Sequence, residues 1–349
     1  MKMSLPVRVI LGAAATLTGI GQVVSGVVSL EVPAPLSANN DCSDWTAWMP
    51  RRTDPAIIMQ VVTEGYIPVQ KNFIALMESN SRFSRDNIFL VCLDDESVEA
   101  IALMGFNCVP LADKTSQRFA RVWQLRVKIL SCLLEAGYDV IASDSDALWL
   151  NDPQLDFDMP EVRGSGIVSS RGDMPSDLYS LWGSTLCMGF ILFRAGAGVE
   201  NVLEKMKRLV VKIRDDQKVI NFVLEELGVE WDTTTDMRYV QSTGFGTGTV
   251  PVTGLSGADS FNVTLLPHSK YTRRCDEVPI GPKTTVVAHC HAPKRGSSKI
   301  EWMQRENMWV VDDVIGEEHD QRQDQGALTS GGGHDGSDTQ SSYDLSGEN

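Results

Sequence analysis

The sequence lacks several patterns that would assign it to a familiar class of protein. No Cys-x-x-Cys pair occurs among its seven cysteines, so a zinc site has no support. It has no basic stripe and a net charge of −15, and both argue against a protein that binds nucleic acid. Internal repeats are absent as well. Large apolar residues are almost missing from Glu317 onward, so we expect residues 313–349 to form a disordered acidic tail.

The first 30 residues predict a targeting segment. Lys2 and Arg8 precede 22 uncharged residues, Val9 to Leu30, a stretch long enough to span a bilayer. Positive residues before it predict a cytoplasmic N-terminus and a lumenal body. A cleaved signal peptide is an alternative, because the stretch is rich in small residues. A buried helix is less favoured, because four glycines would weaken it.

Two further features agree with entry into the secretory pathway. Asn262-Val263-Thr264 is a sequon for N-glycosylation. In an oxidising lumen, seven cysteines allow up to three disulfides with one thiol left over. Cys92 and Cys108 are a reasonable pair, because they fall in two consecutive predicted strands.

Strands alternate with helices after a predicted stem at residues 31–54. This alternation predicts a mostly parallel sheet covered by helices on both faces, within one domain at residues 55–312. The strands of the first half are expected at residues 56–63, 87–94, 107–111 and 140–142, and its helices at 69–80, 97–104 and 117–136. The second half is less regular. Its strands are expected at 166–170, 188–194 and 284–289, its helices at 199–213 and 215–227, and a flexible loop at 241–260.

Asp144 and Asp146 follow the predicted strand 140–142. In an open α/β sheet, the carboxyl end of a strand is where ligands bind. Two neighbouring carboxylates repel each other unless a cation lies beside them. Mg²⁺ and Mn²⁺ suit such oxygen ligands and commonly add substrate phosphates. The pair therefore suggests a metal-bridged diphosphate, and a solvated acidic turn is the alternative.

A second group of polar residues follows the predicted strand 284–289. A histidine here, His289 or His291, would complete the coordination of a metal and favours Mn²⁺ over Mg²⁺. Lys294 and Lys299 come next and would neutralise a diphosphate as point charges. Each of these residues alone is more simply explained as a surface or core residue. Together with the aspartate pair, they favour a site.

Four segments of the chain resemble glycosyltransferase family 77, a family of nucleotide-diphospho-sugar transferases. Residues 138–153 are similar to its signature Gly-Tyr-(apolar)-Asp-x-Asp-x-x-Trp-Leu-x-x-Pro, and residues 186–194 to its strand (Asn/Cys)-x-Gly-Phe-apolar. Asp216-Gln217 with Asn221 resembles its Asp-Gln-x-x-x-Asn element. Residues 289–309 resemble its closing segment, His-x-(Asn/His)-…-Gly-x-x-x-Lys-…-Trp. The segments occur in the family's order, which makes the joint match more specific than any one of them.

The resemblance implies a fold, a reaction and a location. The implied fold is GT-A, an α/β fold with a Rossmann-type, mostly parallel sheet, helices on both faces and a second half that binds the acceptor. The implied reaction is the retaining transfer of a sugar from a UDP-sugar to a glycan, polysaccharide or glycoprotein, with Mn²⁺ (or Mg²⁺) as cofactor. The implied location is the Golgi membrane, with a type II anchor and a lumenal catalytic domain. Secretion is the alternative.

By position, the resemblance also assigns roles to individual residues. It makes Asp144, Asp146 and His289 the metal ligands. It places Asp216 and Gln217 near the transferred sugar as catalytic residues. The residues that it places on the donor are Asp144, Asp146, Thr63, Arg126, Lys128, Ser145, Gly189 and Lys299. Retention through a covalent intermediate would need Asp215 or Asp216 as nucleophile, and attack from the leaving-group face is the other route.

Two positions depart from the family's pattern. Cys187 stands where many relatives carry Asn. His291 also replaces an Asn, which makes it an alternative metal ligand. We prefer His289, because it lies ten residues before Lys299, as the family spacing requires.

Two other classes share parts of this pattern. Phosphatases of the haloacid dehalogenase type also place Asp-x-Asp after a strand. They carry Thr or Val two residues after the second aspartate, where this chain has Leu148, and their site lies near the first strand. A non-catalytic lumenal relative that binds glycans or nucleotide sugars would keep the same fold. The intact aspartate pair and the closing histidine favour the enzyme.

Overall fold

The computed structural model describes residues 41–45, 48–50, 54–111, 119–251, 260–290 and 299–311. The predicted N-terminal targeting segment, His291 and the predicted acidic tail lie outside these residues. Within them, no helix combines the length and the apolar character needed to cross a bilayer.

The described residues form helices and strands that mostly alternate along the chain. The strands are β1 (Ile57–Val62), β2 (Ile88–Cys92), β3 (Cys108–Pro110), β4 (Val140–Ser143), β5 (Leu148–Trp149), β6 (Ser165–Gly172), β7 (Thr185–Phe193), β8 (Glu230–Trp231), β9 (Gly246–Pro251), β10 (Ser260–Leu265), β11 (Tyr271–Thr272) and β12 (Val287–Ala288). The helices are α1 (Cys42–Trp45), α2 (Ile67–Asn80), α3 (Asp95–Leu103), α4 (Phe119–Glu135), α5 (Gln154–Phe157), α6 (Pro160–Arg163), α7 (Ser176–Trp182), α8 (Ala197–Ile213), α9 (Asp216–Glu226) and α10 (Lys299–Arg305).

Local sequence explains where several helices begin and end. Asp94 caps α3 by accepting a hydrogen bond from the Ser97 amide at 2.7 Å. Asp215 caps α9 in the same way, accepting from the Lys218 amide at 3.0 Å. After α4 the chain turns at Gly137 with a φ of 87°, a conformation that glycine adopts without steric cost.

Nine strands of the described residues form one sheet in the order β3-β2-β1-β4-β7-β6-β10-β9-β8. The first four are parallel, in the 3-2-1-4 order of a Rossmann-type sheet. The second half is mixed: β7 and β9 run against the other seven strands, and the neighbours β6 and β10 are parallel. The predicted α/β fold with a Rossmann-type, mostly parallel sheet is therefore confirmed.

Both faces of the sheet are buried, as the apolar runs in the strands predict. In β1, Ile57 and Met59 belong to the core that includes α4, α8 and α9. Ile58 and Val62 point to the opposite core, which includes α2, α3 and the small sheet β11-β12-β5. This two-residue alternation is the period of a strand, so the sheet is covered on both sides.

The prediction of a flexible loop at residues 241–260 was wrong in part. It contains β9, which pairs with β10 in antiparallel register from Gly246↔Leu265 to Pro251↔Ser260. Alternate residues of β9 are buried, among them Gly246, Gly248 and Val250. Small residues replace large apolar ones here because neighbours approach closely: a Cβ on Gly248 would lie 2.7 Å from the Trp231 ring. The apolar alternation that marks a strand is therefore weak in the sequence.

All seven cysteines lie in the described residues, and six form disulfides. Cys92–Cys108 links β2 to β3, as predicted. The other two pairs are Cys42–Cys132 and Cys275–Cys290. Cys187 is the free, buried thiol that the odd number requires.

Candidate active site

The border between the two halves of the sheet positions the aspartate pair. β4 pairs with β1 in parallel on one side and with β7 in antiparallel on the other. Asp144 follows β4 directly, and its amide donates to the Gly189 carbonyl on β7 at 2.9 Å. The chain then turns, with the Ala147 amide donating to the Asp144 carbonyl at 3.0 Å. This turn places Asp146 beside Asp144.

His289 completes a compact group of three ligand side chains. It follows β12, and its amide donates to the Thr272 carbonyl at 2.9 Å. Its Nε2 atom lies 3.5 Å from Asp144 Oδ2 and 3.3 Å from Asp146 Oδ1. One ligand atom from each residue lies within 4.8 Å of the other two. We call Asp144, Asp146 and His289 the ligand triad.

The triad fits a divalent cation. Two carboxylates and one imidazole suit Mn²⁺, which accepts both oxygen and nitrogen ligands. The Nδ1 atom of His289 lies 3.8 Å from the Cys187 sulfur, so Nε2 is the nitrogen that faces the carboxylates. Burial raises the pKa of Asp144, but Arg126, His289 and Lys299 outweigh it and hold the pKa below its ordinary value. Asp144 is therefore ionised at neutral pH.

Gly189 leaves the space that the triad fills. A Cβ at this position would lie 1.9 Å from His289 Cε1, 2.5 Å from His289 Nδ1 and 2.9 Å from Asp144 Oδ2. Any other residue would displace the imidazole from the carboxylates. The glycine assigned to the donor by resemblance thus has a steric role at the triad itself.

Arg126 connects the triad to the start of α9. It is buried, and its Nη1 atom lies 3.1 Å from Asp144 Oδ1 and 3.4 Å from Asp216 Oδ2. Its Nη2 atom donates to the Met188 carbonyl. Lys128 is two residues further along α4, about 200° around the helix from Arg126. Its predicted role stays a prediction.

Asp216 and Gln217 lie at the beginning of α9, on the β7 side of the triad. Burial raises the pKa of Asp216 to about 6; Arg126 opposes this rise, while Asp144 and Asp215 add to it. The Oδ2 atom of Asp216 is buried without a hydrogen-bond partner in the described residues, although Arg126 is near. Gln217 accepts from Arg273 Nη1 at 3.4 Å.

Lys299 approaches the triad from the opposite side. It begins α10, and its ammonium group pairs with Asp146 Oδ2. Burial lowers the pKa of Lys299, against the effect of Asp144. The structure thus brings Lys299 to the aspartate pair, as the sequence spacing suggests.

Ser145 and Thr63, two predicted donor-binding residues, lie in the turn after β4 and directly after β1. The Ser145 hydroxyl donates to Gln70 Oε1 at 2.6 Å, and Gln70 Nε2 donates to Gln60 Oε1 at 2.7 Å. This buried chain of hydrogen bonds ties the aspartate turn to α2 and β1, so the hydroxyl is used inside the protein. Thr63 follows β1, and its carbonyl accepts from the Tyr66 amide at 2.9 Å.

Sequence reasoning missed two residues of this region, Tyr66 and Arg273. Tyr66 is 44% exposed after β1, and burial together with the charge of Asp144 raises its pKa. An aromatic residue just beyond the first strand was the signal that could have found it. Arg273 follows β11, a strand of two residues that gives too little periodicity to be predicted.

Cys187 lies beneath the triad on β7. Its sulfur accepts from the Gly189 amide at 3.3 Å. Burial raises the pKa of the thiol, but Arg273 and His289 outweigh burial and bring it to about 7. The residue that replaces the expected Asn therefore contacts a ligand of the triad.

A comparison of the sequence with models of known protein families matches one family. A model of the family of nucleotide-diphospho-sugar transferases matches residues 84–300, which include every residue of the triad. No curated protein matches the chain.

Several solved structures show a weak likeness. A glycosyltransferase involved in glycosylation of the major capsid of PBCV-1 has a TM-score of 0.38 at 12% identity, over 72% of this chain and 99% of that chain. Mouse xyloside xylosyltransferase 1 has a TM-score of 0.33 at 13% identity, over 49% of this chain and 82% of that chain. The bifunctional glycosyltransferase WbbM has a TM-score of 0.37 at 14% identity, over 50% of this chain and 38% of that chain. Likeness at this level does not extend to the donor or the acceptor.

Proposed function

Because the chain belongs to the family of nucleotide-diphospho-sugar transferases, we propose that it moves a sugar from a UDP-sugar to a hydroxyl group of a glycan, polysaccharide or glycoprotein. The observation that carries this proposal is the convergence of Asp144, Asp146 and His289 at the border of the two sheet halves. We propose Mn²⁺ as the ion and a retaining outcome, on the resemblance to family 77.

The donor nucleotide is proposed to lie over the parallel half. Ligands of open α/β sheets bind at the carboxyl ends of the strands, where the strand order reverses. Thr63 and Tyr66 follow β1 at this edge. The exposed ring of Tyr66 offers a face on which a base can stack. The diphosphate then reaches the triad and Lys299.

The side chains around the triad suit a departing diphosphate. A bound cation supplies Lewis-acid stabilisation of the leaving group. The Lys299 ammonium stands beside Asp146, where it neutralises charge that grows as UDP departs. Arg126 keeps Asp144 ionised and fixes its orientation through the 3.1 Å contact. These groups are held in place before the reaction, which is how such sites lower a barrier.

Asp216 and Gln217 are proposed to face the transferred sugar. They start α9, which packs on β7 in the second half of the sheet. The Oδ2 atom of Asp216 accepts no hydrogen bond within the described residues, and we propose that it stabilises the positive charge that develops at the anomeric carbon. The same carboxylate is the candidate nucleophile of a covalent route. Trapping a glycosyl group on Asp216 with a fluorinated UDP-sugar, followed by mass spectrometry, separates this route from attack on the leaving-group face.

We propose that this chemistry takes place in the lumen of the Golgi, with the N-terminal segment as a type II anchor or with secretion as the alternative. The three disulfides support an oxidising compartment. Asn262, the acceptor residue of the sequon, is exposed on β10. Enzymatic removal of N-glycans with a shift in electrophoretic mobility, and microscopy of the tagged full chain, test the compartment.

A single variant tests the function. Asp144→Asn keeps the shape of the side chain and removes the charge, so we expect Mn²⁺-dependent turnover of radiolabelled UDP-sugars to fall by roughly 10²-fold or more. Mn²⁺ binding, measured by calorimetry, should weaken in parallel. Asp86→Asn, at an exposed residue outside the site, is the matched control and should behave as the unaltered protein.

Two outcomes would contradict the proposal. Unchanged turnover in Asp144→Asn would remove the aspartate pair from the chemistry. Binding of Mn²⁺ and UDP without turnover of any UDP-sugar would indicate a non-catalytic relative that binds nucleotide sugars.

A further inference from the structure

One arginine beside the proposed site, Arg273, forms no ion pair with a carboxylate among the described residues. Arg273 follows β11, and the side-chain acceptor of its guanidinium is the neutral amide of Gln217, at 3.4 Å. Its Nε atom is buried and has no hydrogen-bond partner among the described residues. It forms no ion pair with a carboxylate in that part of the chain. An enclosed guanidinium without such a partner carries a cost in desolvation.

The other arginines with little exposure are satisfied in a different way. Arg171 donates to the backbone carbonyls of Leu266, Arg238 and Gly244. Arg194 donates to three carbonyls as well, and Arg126 pairs with carboxylates. Arg273 is the exception in this group, because its side-chain acceptor among the described residues is a neutral amide and its Nε atom has no acceptor there.

The adjacent residue, Arg274, shows the contrast most directly. Its guanidinium pairs with Asp173 at 3.6 Å and with Glu277 at 3.4 Å. Arg273 makes no such ion pair among the described residues; burial lowers its pKa, but the longer-range charges of Cys187, Tyr239, Asp173 and Asp144 outweigh burial and raise it. Both residues are held by the same support, because their amides donate to His268 Nε2 at 3.3 Å. The backbone that carries Arg273 is therefore fixed.

The position of Arg273 indicates which part of a substrate it would meet. Lys299 begins α10, which packs on Val69 and Leu76 of α2 in the parallel half. Arg273 instead contacts Gln217 at the start of α9, which packs with β7. The two cations thus flank the ligand triad from opposite sides. With the nucleotide over the parallel half, Arg273 faces what lies beyond the diphosphate: the transferred sugar and the acceptor.

We propose that Arg273 is a specificity residue that binds the carboxylate of a uronic acid, carried either by the donor sugar or by the acceptor. This proposal rests on the proposed function. A carboxylate matches the planar fork of a guanidinium and makes two parallel hydrogen bonds with it. The single charge of Arg273 also matches the single charge of a carboxylate. A phosphate dianion would need a second cation, and the adjacent Arg274 is already paired with Asp173 and Glu277.

The experiment compares matched pairs of substrates in two arms. The donor arm measures kcat/KM for UDP-glucuronate against UDP-glucose and for UDP-galacturonate against UDP-galactose, with Mn²⁺ present. The acceptor arm measures transfer from the best donor to methyl galacturonide against methyl galactoside. The proteins are the unaltered chain, Arg273→Gln, Arg273→Lys and, as matched control, Arg274→Gln.

The expected result is a preference of tenfold or more for the uronate in at least one arm, and that arm identifies the source of the carboxylate. Arg273→Gln should reduce this preference tenfold or more, because kcat/KM should fall further for the uronate than for the neutral substrate. Arg273→Lys should be intermediate, because it keeps the charge and loses the fork. Arg274→Gln should keep the preference. If Arg273→Gln does not fold, as judged by its melting temperature, the Lys variant decides the question.

Three results would overturn the proposal. One is the absence of a uronate preference in both arms. Another is an equal loss for uronate and neutral substrates in the Arg273 variants, which would make the role structural. The third is a preference that survives in both variants. Turnover of neutral UDP-sugars without a uronate preference would contradict this inference alone. No turnover of any UDP-sugar would contradict both the proposed function and this inference.

Discussion

Replacing Gly189 by alanine tests whether the triad is built by close packing. The added Cβ would lie 1.9 Å from His289 Cε1 and 2.9 Å from Asp144 Oδ2. Ordinary contact between carbon atoms is about 3.5 Å, so the imidazole must move by about 1.5 Å or more. Metal–ligand distances tolerate deviations of only ~0.2 Å. The variant should therefore lose His289 as a ligand.

The size of the effect follows from this displacement. A misplacement of ~1 Å in a catalytic group costs roughly 10²-fold in rate, which corresponds to ~2.7 kcal/mol. We expect kcat/KM to fall by about that factor and the affinity for Mn²⁺ to fall at least tenfold. The free energy of unfolding should fall by only ~1–3 kcal/mol, the usual cost of an overpacked methyl group.

Gly166 supplies the matched control. A Cβ there would lie 2.7 Å from Val199 Cγ2 and 2.9 Å from Phe261 Cδ2, so Gly166→Ala carries a similar packing cost. It lies near the start of β6, at the opposite end of the strands from the triad. Calorimetry with Mn²⁺ and turnover assays should separate the two variants, while thermal unfolding should not. If Gly189→Ala binds Mn²⁺ and turns over like Gly166→Ala, the steric argument fails.

Two further predictions concern a buried carboxyl group and a disulfide. The pKa of Asp216 is raised from 3.8 to about 6, so the folded protein favours the protonated carboxyl group. The contribution of this group to the free energy of unfolding is therefore complete below pH 3.8 and is lost as the pH rises through 6. Asp216→Asn should therefore gain up to ~3 kcal/mol in unfolding free energy relative to the unaltered protein between pH 4 and 7; denaturant titrations showing a pH-independent difference would refute this. Cys275–Cys290 and Cys92–Cys108 close loops of similar length, with separations of 15 and 16, so converting either pair to serine should cost about 3 kcal/mol. Only the loss of Cys275–Cys290 should weaken Mn²⁺ binding in calorimetry, because Cys290 directly follows His289. Equal Mn²⁺ binding in the two double variants would contradict this prediction.

Much of the parallel half could be predicted because its signals are local. The strands β1, β2 and β4 are continuous apolar runs, and the helices between them repeat apolar residues at helical spacing, so each element is encoded within its own ten to twenty residues. The aspartate pair could be placed at the end of β4 for the same reason. The bonded pair Cys92–Cys108 followed from the order of two adjacent strands.

The second half was harder to predict, because its signals are not local. β9 is a strand because β10 and β8 supply its hydrogen bonds, while its own glycines and threonines carry little apolar alternation. β12 proved to be two residues long, shorter than the predicted strand at 284–289. Both depend on partners that are distant in the chain.

The sequence by itself determined the α/β class, the parallel half and the aspartate pair as candidate metal ligands, and it left His289 and His291 as alternatives for the third. Only the tertiary structure decided that His289, 145 positions after Asp144, comes within 3.5 Å of it. It alone showed that Gly189 must lack a side chain and that the Nε atom of Arg273 has no hydrogen-bond partner among the described residues. The physical reason is that periodicity records which face of an element is buried. Distances between side chains of different elements depend on strand order, register and packing, which no single segment contains.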